Sequence, residues 1–126
     1  MMTKRLIIAV ICIITALSFS CGSYFYISHK TKEMVTYLTT AEELHSAGEN
    51  FAAEAGKALA IWDEVKRKFG VMIKHEDADE LERCFIKISD YMENGSSEEL
   101  FVAVISCKAA LEVMLDGEMP KSENIF

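Results

Sequence analysis

Proline is almost missing from this chain, at one residue in 126, and only six glycines accompany it. A β-sandwich or barrel needs many more turn residues, so that class is excluded, and abundant Ala, Leu, Ile, Glu and Lys point to helices. Positive charge is in the minority, with 13 basic against 20 acidic side chains and a net charge of −7. Nucleic acid is therefore not expected as a partner. No Gly-rich phosphate loop, nucleophile elbow, Cys-x-x-Cys pair or His-Glu-x-x-His motif occurs. No enzymatic activity and no cofactor are expected from a chain with this motif content. Its length suits one small domain.

What is present begins with Lys4-Arg5, followed by 22 residues from Leu6 to Ile27 without a charge. As a helix that run covers about 33 Å, enough for a hydrocarbon core of roughly 30 Å. Tyr24 and Tyr26 stand where an interfacial aromatic belt would lie. The preferred reading is an uncleaved single-span anchor in the cell membrane, with a cytoplasmic N-terminus and the remainder outside the cytoplasm. Two alternatives share that address: a secretory signal cut after Ser18-Phe19-Ser20, and a lipoprotein carrying lipid on Cys21. Ser18 replaces the usual aliphatic residue three before the cysteine, and the apolar run continues six residues past Cys21. From residue 28 onward, 11 basic and 20 acidic groups leave a net −9, so no basic face is expected to draw the domain onto anionic lipid.

The rest reads as an all-α antiparallel bundle of about four helices in two hairpins. The division is 1–27 for stub and anchor, 28–117 for the bundle and 118–126 for a tail. The first helical pattern, about 28–47, continues from the anchor with Met34, Leu38, Ala41 and Leu44 in register. Gly48-Glu49-Asn50 breaks it. Phe51, Ala55, Ala58, Leu59, Trp62, Val65 and Phe69 then form the stripe of a second helix, which ends between Gly70 and Ile73. Asp77 with Glu80 resembles a capping box, placing the third start at Asp77, and Leu81, Phe85, Ile88 and Met92 are expected to form its buried face. Asn94-Gly95 closes that helix. Ser96 with Glu99 opens the fourth, lined by Leu100, Val104, Cys107, Leu111 and Met114.

Each chemically suggestive group has a plainer alternative. Cys84 and Cys107 lie almost equally far from the Gly95 turn, so they should share a height; a disulfide is conceivable outside the cytoplasm, and two buried thiols are preferred. His75, Asp77 and Asp79 form the one polar cluster that suggests a ligand- or metal-binding domain, the alternative to an interaction domain. If the helix starts at Asp77, His75 and Asp79 do not share a face, and the acids serve the helix N-terminus. His29 and His45 stand alone. Trp62 suits an interaction anchor, but its place in a stripe favours core packing. The tail ending Ile125-Phe126 suits either a docking peptide or a hook folded onto the bundle.

The chain resembles a family of small, single-anchor helical proteins of spore-forming Gram-positive bacteria, catalogued as a domain of unknown function. The residues carrying the likeness are Thr31-Lys32-Glu33-Met34, Ala41-Glu42-Glu43-Leu44, Trp62 with Lys66, His75 with Asp77 to Asp79, and Glu123-Asn124-Ile125-Phe126. Phe69 stands where a second Trp is common, and Ala78 where an aliphatic residue is usual. The resemblance implies an anchored extracytoplasmic helical domain of the cell envelope or of sporulation, without assigned activity. The expected partners are the membrane and a protein in or near it, through Trp62, His75, Asp77, Asp79, Ile125 and Phe126.

Overall fold

A computed structural model describes residues 2–118; among them there are four helices and no strand. Helix α1 (Met2–Ser46) is unbroken over 45 residues, α2 spans Ala52–Met72, α3 His75–Asn94 and α4 Ser97–Glu118. Ile125 and Phe126, expected to dock a partner or to hook onto the bundle, lie outside the described residues.

The buried residues explain why four helices suffice. Along α1 they fall at Ile27, Thr31, Met34, Leu38 and Ala41; along α2 at Ala55, Ala58, Trp62, Val65 and Phe69. On α3 they are Leu81, Cys84, Phe85 and Ile88, and on α4 Leu100, Val104, Cys107, Leu111 and Met114. Alternating steps of three and four residues keep each stripe facing its neighbours, as in left-handed knobs-into-holes bundles. Each helix packs on the two beside it, with α1 and α3 both between α2 and α4. Tyr26 meets Phe69 and His45 meets Phe51, so α1 and α2 run antiparallel.

The turns follow from local chemistry. Gly48, at φ +75°, lets its own N–H reach the His45 carbonyl and the Glu49 N–H reach the Leu44 carbonyl, a Schellman close for α1. The Ser96–Glu99 capping box forms: the Glu99 N–H donates to Ser96 Oγ at 3.2 Å, and the Ser96 N–H to Glu99 Oε1 at 3.3 Å. Gly95 admits no side chain, because a Cβ would sit 2.8 Å from Tyr91 Cα.

One expectation is corrected. Helix α3 starts at His75, with Lys74 as N-cap and no side-chain cap, and the Asp77–Glu80 box does not form. Glu80 instead accepts from Arg83 at 2.7 Å and from the Cys84 thiol at 3.8 Å. Starting two residues earlier leaves only Ile73 and Lys74 between α2 and α3, with Ile73 buried. From Lys66 to His75 the chain carries Lys66, Arg67, Lys68 and Lys74 and no carboxylate, so the α2–α3 turn is basic although the domain as a whole is acidic.

The apolar run of α1 stands apart from the bundle. Residues 3–22 are exposed all round, including Leu6, Ile11, Leu17 and Phe19. This segment is long and apolar enough to cross a membrane. No break separates it from the seam that enters the core at Ile27.

Candidate functional site

Four places on the molecule bring chemically distinctive side chains together. The first is the start of α3. Because the helix begins at His75, His75 and Asp79 do share a face, with Nε2 and Oδ2 4.0 Å apart. Both are open to solvent, 87% and 65% exposed at the side chain. They border a shallow groove against α2 whose other wall holds Lys66 and Arg67. Asp77 turns the opposite way, onto a groove between α3 and α4 beside Leu81 and Val113. The sequence cluster is thus divided between two faces. Among the described residues, no group of three His, Cys, Asp or Glu side chains is placed to hold a metal ion.

Trp62 closes the floor between α2 and α3. It is 2% exposed, stacked on Phe85 at 5.3 Å between centroids and edge-on to Phe69 at 6.0 Å. Its indole N–H donates to Glu82 Oε2 at 3.0 Å. A side chain this buried is a core residue and offers no surface anchor, as its place in the stripe suggests.

The third place is the thiol pair. Cys84 and Cys107 are buried on facing helices as free thiols that shift one another's proton affinity. Donation from the Cys107 thiol holds Cys84 below the ordinary thiol range, against the opposing effects of burial and of Glu80. The same bond, together with burial, pushes Cys107 far up. Cys84 is therefore the better nucleophile of the two. Cys21 sits exposed within the apolar stretch of α1.

The fourth place escaped the sequence reading. His45 stacks on Phe101 at 3.8 Å, nearly parallel at 11°, and meets Phe51 edge-on at 5.2 Å. These residues join the ends of α1, α2 and α4 at the pole distant from the apolar run. Lys108 of α4 pairs with Glu42 of α1 at 3.1 Å in a half-buried setting, also unforeseen. Neither link leaves a local sequence signal, because its partners are separated by more than 50 residues; only the Phe51–His45 contact is short-range.

The surface of α4 completes the picture. Val102, Ile105 and Val113 are 61%, 43% and 70% exposed, and exposed Ser106 and Ala109 lie between them on the same face. Glu112 is the one charged residue along this strip.

The chain belongs to the family described as a domain of unknown function (DUF4363), whose model matches residues 21–125. That match takes in the last third of the apolar run together with the whole bundle. No curated protein and no solved structure matches the chain.

Proposed function

We propose that this member of a family without an assigned activity is a non-catalytic, membrane-tethered interaction domain. A single span leaves the N-terminus in the cytoplasm and holds the bundle outside it, where it engages a protein in or near the membrane. The resemblance to proteins of spore-forming bacteria supports a role in the cell envelope or sporulation. The observation carrying this reading is the unbroken α1, which runs from an exposed apolar stretch straight into the core seam at Ile27. Such a rod keeps the bundle at one height, and confinement raises its effective concentration against any membrane-bound partner.

The nearly uncharged strip of Val102, Ile105, Ser106, Ala109 and Val113 is the surface this reading assigns to the partner. His75 and Asp79 are accessible polar contacts on another side, and Ile125-Phe126 provides a second docking element.

Photo-crosslinking capture from intact membranes tests this, comparing the full chain, a Val113→Glu variant and a chain lacking Ile125-Phe126. A specific membrane protein captured by the full chain and lost in Val113→Glu, with melting unchanged, is the expected result. Loss only on removing Ile125-Phe126 moves the docking surface to the tail. Capture of no protein by any of the three refutes the reading.

A further inference from the structure

The register between α1 and the α2–α3 turn has a consequence for the bilayer. A span beginning at Leu6 and crossing about 30 Å at 1.5 Å per residue ends near Phe25. Val71 and Met72 of the turn, with Leu115 of α4, share a groove of about 350 Å³ with Phe19, Ser23 and Tyr24 of α1. The turn therefore lies level with the outer end of the span rather than above it. Raising it clear of the membrane would shorten the span to 6–19, about 21 Å at the same rise per residue, well short of a hydrocarbon core.

Surface chemistry agrees with this height. Val71 is 84% exposed, and Phe19 and Phe25 are 70% and 68% exposed, so no described residue covers these apolar side chains. Lys66, Arg67 and Lys68 lie on the last two turns of α2 before this tip, and Lys74 follows directly after it. The Lys68 ammonium sits over the Tyr26 ring, 5.3 Å from its centroid, fixing this end of α2 at the level of an interfacial tyrosine. Glu76 and Asp77 on α3 and Asp116 on α4 occupy the same pole, so this end is not purely cationic. An exposed apolar tip flanked by long cationic side chains is nevertheless the pattern that buries its tip among acyl chains and lifts its cations to lipid phosphates.

We infer that the α2–α3 turn is a second membrane contact: Val71 enters the bilayer interface beside the anchor, and Arg67 and Lys68 meet phospholipid phosphates. The inference rests on the proposed anchor.

It is tested on the full chain in vesicles of phosphatidylcholine and phosphatidylglycerol, with an environment-sensitive fluorescent amino acid replacing Ile13, Val71 or Glu49 in turn. Lipids brominated near the headgroup end of the acyl chain, or deep within it, serve as quenchers. The expected result is deep quenching at 13, shallow quenching at 71 and none at 49. Quenching at 13 without quenching at 71 overturns the membrane-seated turn while leaving the anchor in place. Absence of quenching at 13 overturns the anchor and the inference with it. Because Val71 is so exposed, the substitution should leave the fold intact, which retained helicity verifies.

Discussion

Thr31 is a fully buried polar residue of the α1 seam, and its hydroxyl has no hydrogen-bond partner among the described residues. Thr15, Thr36 and Thr40 each donate to the carbonyl four residues earlier, at 2.8, 2.8 and 3.0 Å, so Thr31 departs from the habit of its own helix. A buried hydroxyl without a partner costs about 1–3 kcal/mol relative to an apolar group of the same shape. Val has that shape, the same β-branching and nearly the same helix propensity. Thr31→Val should therefore stabilise the bundle by about 1–2 kcal/mol, and each kcal/mol raises the melting temperature by about 4–8 °C in a domain of 60–100 residues. Trp62, the one Trp and a core residue, makes its fluorescence a readout of bundle unfolding with no contribution from the apolar stretch. Melting the full chain in detergent micelles, with Thr36→Val as an exposed control expected within about 0.5 kcal/mol of the parent, gives the comparison. A Thr31→Val protein melting at or below the parent refutes the reasoning, because the hydroxyl must then have a partner in solution.

Incubating the folded chain with oxidised glutathione should join Cys84 to Cys107. The Cys84 thiolate displaces one glutathione thiol, Cys107 displaces the second, and mass spectrometry reads a loss of two hydrogens; stable glutathione adducts would show that the sulfurs cannot meet in bonding geometry. Closing that loop stabilises by about 3 kcal/mol in the chain-entropy account, which the same melting assay reads. Trp62→Phe removes the donor to Glu82 while keeping an aromatic ring, and should lower stability by about 1–2 kcal/mol by circular dichroism; no change would mean that Glu82 prefers water. Intact mass of protein extracted from membranes should correspond to a chain retaining residues 1–20, with no lipid on Cys21; a diacylated chain beginning at Cys21 would establish the lipoprotein alternative.

Elements with internal periodicity were legible in the sequence, since stripes such as Phe51-Ala55-Ala58-Trp62-Val65-Phe69 declare both helix and buried face. The common height of Cys84 and Cys107 was legible for a related reason: a hairpin reflects sequence distance about its turn. The start of α3 was misread because Asp77 and Glu80 have capping-box spacing, while Arg83 and Cys84 compete successfully for the Glu80 carboxylate. That two-residue difference decides whether His75 and Asp79 are neighbours. The cations of the α2–α3 turn are contiguous in the sequence, but a net charge averaged over the domain does not display them. The His45–Phe101 stack and the Glu42–Lys108 pair were illegible because packing between first and last helices is set by the assembled bundle.

The continuity of α1 makes the proposed tether a drive shaft as well. With no swivel between the apolar stretch and the seam, each residue of the span sets the compass bearing of the domain above it. One residue added between Phe19 and Phe25 would lift the bundle by about 1.5 Å and turn it by about 100°. The Val102–Val113 strip would then stand over a different face of the apolar stretch. Helix phase thereby sets which face of α1 lies in line with that strip.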